Sequence, residues 1–173
     1  MAIYALEDGC EPAIHPDAYV HPDATLIGRV VLGPNSSVWP GTVIRADDNE
    51  IIIGARTSVQ DGAVLHCTAE LPTIVGDDCT IGHNAHLEGC TIEDAALVGS
   101  GSIVLHGAVV SSGALVGANA LVPGGKVVPL NAMALGVPAT FREDANTVEL
   151  NILHAANYVE RAKRYRTSMR RVD

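Results

Sequence analysis

The chain has 173 residues, 47% of them hydrophobic but only one Trp and one Phe, and a formal net charge of −9, which is enough for one domain with a sizeable core. An acidic chain argues against nucleic acid as partner. The lack of a long apolar run argues against a membrane span, and four cysteines (Cys10, Cys67, Cys79, Cys90) without a C-x-x-C pair argue against a disulfide framework.

With no secretory signal pattern at its start, the protein is expected in a reducing, cytoplasmic setting. The charge is unevenly spread. Residues 1–149 carry 5 Lys/Arg against 18 Asp/Glu, a net −13, and residues 150–173 carry 6 against 2, a net +4. The basic end is expected to dock on the acidic body rather than on a nucleic acid.

Residues 1–12 read as an irregular lead-in, with Tyr4 and Leu6 covering the first coil. A six-residue rhythm then begins. Ile14, Val20, Leu26, Leu32, Val38 and Ile44 are evenly spaced aliphatics, followed by Ile53, Val59, Leu65, then Val75, Ile81, Leu87. From Ile92 the frame runs unbroken through Val98, Val104, Val110, Val116, Val122, Val128 and Ala134. A small residue follows four places later at Ala96, Ser102, Ala108, Ala114, Ala120 and Ala132; Cys79 falls on such a position too.

Neither a helix (period 3.6) nor an ordinary strand (period 2) repeats at six. Hexapeptide repeats build parallel β-helices, in which three hexads make one triangular coil and stacked coils bury a continuous core. The predicted fold is an all-β solenoid over residues 1–140, with residues 141–173 forming a linker and a helix on its outside. Asn146 or Thr147 is the expected helix cap, with Glu149 in the first turn. Leu150, Leu153, Asn157 and Arg161 lie along one face of that helix, and Val148, Ile152, Ala155, Ala156 and Val159 supply apolar cover.

The rhythm slips three times, at 44 to 53, 65 to 75 and 87 to 92. Such breaks mark places where loops leave the coil, often on a binding face. The charged run Arg45-Ala46-Asp47-Asp48-Asn49-Glu50 reads as a solvated loop or as part of a site; Thr68 to Pro72 reads as a second polar loop. His15 and His21, each before Pro-Asp, read as surface features.

The frame places the remaining site residues in space. Arg45, His66 and Glu88 each follow an inward residue on the same face, so they form an outward column with neighbours about 4.8 Å apart. His86 lies two residues before Glu88 on the same strand and also points outward, about 6–7 Å away. Asp61 and His83 form a second column at the next corner. His83 is more than about 10 Å from the first column along the prism edge, so it can meet His66 only from a neighbouring subunit. Three-fold packing of prisms would bring it there. Three protein ligands with an open position is the catalytic arrangement for Zn²⁺.

Arg45-Ala46-Asp47, Val59-Gln60-Asp61-Gly62-Ala63-Val64-Leu65-His66 and Ile81-Gly82-His83, with the hexad coil and C-terminal helix, resemble the γ-class carbonic anhydrase family and its bacterial hexapeptide-repeat, siderophore-binding-like branch. The resemblance implies a left-handed coil, a homotrimer, and zinc (or iron or cobalt) at each subunit interface. His66 and His83 match two metal ligands, Arg45 and Asp47 an intersubunit ion pair, and Gln60 and Asp61 groups that position water or bicarbonate.

The family's third histidine falls where this chain has Glu88. Glu88 is a ligand in its place, or His86 reaches in, or the site is weakened. The long acidic loop of the most active members is absent, which leaves Glu70 as proton shuttle. The implied reaction is reversible hydration of CO₂ by a metal-activated water. The alternatives are an acyltransferase using acyl-CoA and a non-catalytic metal- or siderophore-associated trimeric scaffold.

Overall fold

A computed structural model describes residues 1–6 and 9–173, so the part of the lead-in at Glu7 and Asp8 lies outside the described residues. The hexad rhythm becomes a left-handed parallel β-solenoid of about seven turns with one C-terminal helix. Every inward aliphatic from Ile44 to Ala134 is buried, and the small residues between them fill the tight corners beneath. Burial of this one column from each face stabilises the prism by roughly 1.5–3 kcal/mol per Val, Leu or Ile side chain.

Short parallel strands stack in register up each face. On the face covered by the helix, Tyr19, Ser37, Ser58, Thr80, Leu97, Leu115 and Met133 form one outward column. On the next face the columns are Val43, Val64, His86, Ile103 and Leu121, and beside them Ile27, Arg45, His66 and Glu88. Corners turn at left-handed residues; Gly62, for example, has φ +70, and its missing Cβ leaves room for the Asn84 side chain of the next coil.

Three sequence expectations change here. The lead-in is not wholly irregular: Ala2–Tyr4 is a strand that pairs with Thr25–Ile27 and closes the end of the stack. The charged run after Ile44 is not a loop leaving the sheet. The strand Val43–Ile53 passes through it and pairs with Thr25–Leu32, which has its own irregularity between Gly28 and Val30. Pairing between the two strands holds to Ala46 and resumes at Ile51, so Asp47 to Glu50 bulge out opposite Arg29 while the strands stay together on either side. His21 is also not a surface feature, with its side chain only 12% exposed; like His15, it accepts the backbone N–H two residues on, at Asp23 and Asp17 respectively.

The helix Val148–Ser168 packs against the strands carrying Tyr19, Ser37, Ser58 and Thr80. Its contact face includes the predicted Ala155 but otherwise differs from the predicted one. Asn151, Ala155 and Ala162 are buried, whereas Leu150, Ile152 and Leu153 are exposed. Small residues let the helix lie close to the Ser/Thr column, and Tyr158 and Tyr165 clasp Trp39 and Tyr19 with ring centroids 5.2–6.3 Å apart. Thr147 is the N-cap but makes no side-chain cap bond. Asn146 and Asn151 instead donate to the Gly113 carbonyl of the coil, which ties the helix start to the prism. The basic end docks through Arg166, which donates to the carbonyl oxygens of Asp17 and Ala18, not to carboxylates. No helix among the described residues is long and apolar enough to cross a membrane.

Candidate metal centre

The strand Val64–His66 and the strand His86–Glu88 are consecutive rungs of one face, with Leu65 and Leu87 fully buried beneath them. Alternation along a strand therefore turns His66, His86 and Glu88 outward on the same side. Glu88 stands directly opposite His66 in the register. Its Oε2 lies 3.8 Å from His66 Nε2 and 3.7 Å from His86 Nε2, and the two imidazole centroids are 5.3 Å apart. One ligand atom from each of the three residues lies within 4.8 Å of the others.

This donor set fits a divalent ion. Two imidazoles and one carboxylate is a known catalytic zinc set, and the same set suits Fe²⁺. A tetrahedral ion with bonds near 2.0–2.1 Å spaces its ligand atoms about 3.3 Å apart, so the two Glu88 contacts close by about 0.5 Å and the two imidazole donors, within 4.8 Å of each other, by up to about 1.5 Å. His66 also has the outer partner that such ligands carry: its Nδ1 lies 3.3 Å from the Cys67 carbonyl, which leaves Nε2 facing Glu88. The three side chains are 21–36% exposed, so the cluster is half-buried and open to solvent.

The other expected site residues fall around this cluster. His83 is not part of it; at the neighbouring corner its Nδ1 pairs with Asp61 Oδ2 at 2.7 Å. Gln60 is buried next to that corner, and its carbonyl accepts from Thr42 Oγ1. Arg45, directly below His66, pairs with Asp47 inside the same strand. Burial works against the Asp47 carboxylate, but bonds from Arg45 and from nearby backbone N–H groups hold its pKa below the usual range. Glu70 is exposed on the loop between Cys67 and Thr73.

Sequence reasoning missed how that loop is fixed. Asn49 donates its backbone N–H to Cys67 Sγ and its side-chain amide to the Ala69 carbonyl. Thr73 Oγ1 donates to the His66 carbonyl and accepts from the Gly89 N–H. The two breaks in the rhythm are thus bonded to each other beside the cluster. The only sequence signal for this was that both breaks fall one coil apart on the same edge.

Fold and site together define a hexapeptide-repeat protein with a histidine–carboxylate cluster on one outward face. Residues 12–46 match the family model for bacterial transferase hexapeptide repeats. Over 171 residues the chain is 39% identical to the carnitine operon protein CaiE of Citrobacter koseri, covering 98% of this chain and 86% of that one. It is 42% identical over 100 residues to γ carbonic anhydrase 2 of Arabidopsis thaliana mitochondria; the match covers 54% of this chain but only 36% of the plant protein. Among solved structures it is similar to an acetyltransferase candidate of Bacillus cereus, with a TM-score of 0.91, 38% identity, and 97% and 98% of the two chains covered. The chain belongs to the hexapeptide-repeat family that includes CaiE, and over about half of its length it is similar to γ carbonic anhydrases.

Proposed function

We propose that this protein is a γ-carbonic-anhydrase-like metalloprotein that reversibly hydrates CO₂ to bicarbonate. The observation that carries this reading is the His66–His86–Glu88 cluster, set on rigid strands with His66 oriented by the Cys67 carbonyl. The donors available to the ion are His66, His86, Glu88 and, from a neighbouring copy, His83, whose Nε2 is left free by its Asp61 bond. A divalent ion bound there, Zn²⁺ first and Fe²⁺ or Co²⁺ as alternatives, supplies Lewis acidity and an activated water at near-neutral pH.

The chain's own residues do the rest. Gln60 orients the substrate by hydrogen bonding, and Asp61 fixes the imidazole of His83. The carbon of CO₂ gains the water oxygen, and the released proton passes to solvent through Glu70 or Asp48. Glu88 is an anionic donor and lowers the net positive charge of the site. That raises the pKa of the attacking water, so activity near neutral pH is weaker than with three imidazoles.

Assembly into a homotrimer is part of the proposal. Two features support it. The helix covers one side of the prism only, and on the side that bears the cluster His86 is flanked by apolar outward residues, of which Val64 and Ile103 are each 39% exposed. In the proposed trimer the Arg45–Asp47 pair, formed here within one chain, is shared across that contact.

Stopped-flow CO₂ hydration by zinc-loaded protein tests the reading, with light scattering for the trimer. The likeness to an acetyltransferase candidate favours a second reading, transfer of an acyl group from coenzyme A. Turnover of acetyl-CoA without CO₂ hydration would establish it. Bound metal with neither activity, even after Glu88→His, would leave a trimeric scaffold.

A further inference from the structure

Four donors are available for one ion, and three of them stand together within a single chain. We infer that His66, His86 and Glu88 complete a metal site inside one copy of the chain, so that the ion is taken up and kept without His83. This rests on the metal-binding reading above and sharpens it.

Positions 86 and 88 lie on the same outward side of one strand, and position 66 lies opposite 88 on the next. A histidine two residues before the carboxylate therefore adds a second imidazole where the strand would otherwise present none. Glu88 bridges the space between the rings at 3.7 and 3.8 Å, already close to the spacing of ligands on one ion. All three donors stand on adjacent rungs whose backbone is held by the fully buried Leu65 and Leu87. His83 stands apart, with one ring nitrogen tied to Asp61 at 2.7 Å. Were it added as a fourth permanent protein ligand, the site would be closed in the manner of structural zinc and would lack a position for water. The single-chain triad keeps that position open.

The test is zinc affinity of the full-length protein, measured by competition with a chromophoric chelator, with Co²⁺ absorption spectra as a second readout. His66→Ala, His86→Ala and Glu88→Ala are each expected to weaken zinc binding by about 100-fold or more. His83→Ala is expected to stay within about 10-fold of wild type and to keep the wild-type Co²⁺ spectrum. Circular dichroism verifies folding, and His86→Gln and Glu88→Gln replace any alanine variant that unfolds. If His83→Ala loses zinc as completely as His66→Ala, or if His86 variants bind like wild type, the inference falls while the metal reading stands. If the wild-type protein binds neither Zn²⁺ nor Co²⁺, both fall together.

Discussion

His66 Nε2 and Glu88 Oε2 face each other at 3.8 Å across adjacent rungs of the same sheet. Their Cα atoms are paired in register, so the parallel ladder itself sets the imidazole–carboxylate separation. A strand-to-strand spacing near 4.8 Å is short enough for both to reach one ion. The chemistry of position 88 would therefore act directly on an ion held by His66.

Replacing the carboxylate by an imidazole removes a negative charge from the donor set. Glu88→His is expected to lower the apparent pKa of the CO₂-hydration pH–rate profile and to raise the rate near pH 7. A profile whose pKa does not move on this substitution would refute the assigned role of Glu88.

The rungs beneath the cluster are held by fully buried side chains. Leu65→Ala is expected to cost about 2–5 kcal/mol, because the prism cannot collapse around the lost volume. Urea denaturation followed by circular dichroism measures it, and zinc affinity should fall in the same variant as His66 loses its support.

At the corner next to His83, a Cβ on Gly62 would run into Asn84 Oδ1, and the backbone there has φ +70. Gly62→Ala is expected to destabilise the fold by at least about 1 kcal/mol. The neighbouring Asp61–His83 pair should be disturbed too, seen as a shifted His83 imidazole resonance in NMR spectra.

Burial pushes the thiols of Cys79 and Cys90 up to about 12. Folded, they stay protonated well past the point where the same thiols ionise in an unfolded chain, near pH 8.5. Their contribution to stability is thus complete below that pH and is lost as the pH rises towards 12. Native protein at pH 8 is expected to leave both thiols unreacted with a thiol-specific disulfide reagent, and the urea midpoint is expected to drop as pH is raised above about 9.

Trp39 is the single tryptophan and touches both Tyr158 and Tyr165 of the helix. Tyr165→Ala should red-shift Trp39 emission by exposing the indole, with a loss of about 1–3 kcal/mol for this partly buried ring if the helix stays docked through its other contacts. An unchanged spectrum would mean that the helix is held elsewhere.

The outward column Arg45, His66, Glu88 was legible from spacing alone, because a period of six decides which side of each strand a residue occupies. So was the separation of His83 at another corner. The course of the chain through Asp47 to Glu50 was not, since polar composition looks the same in a loop and in a bulged strand. Only the pairing with Thr25–Leu32 on both sides of the run, up to Ala46 and again from Ile51, distinguishes them. The helix face was misread for a related reason. Its exposed Leu150, Ile152 and Leu153 are the more hydrophobic residues, yet Asn151 is the one buried, on the carbonyls of Ala95 and Gly113, and Ala162 packs on Tyr19 and Trp39.

By itself, then, the sequence determined the prism, its inward core and the side on which each site residue stands, all consequences of local periodicity. Tertiary structure alone decided that His86 closes on Glu88, that the Cys67 carbonyl orients His66, and that Asn151 anchors the helix to the Ala95 carbonyl 56 residues away. Those outcomes depend on side-chain rotamers and on contacts between distant segments, where packing and hydrogen-bond satisfaction rather than repeat spacing set the geometry.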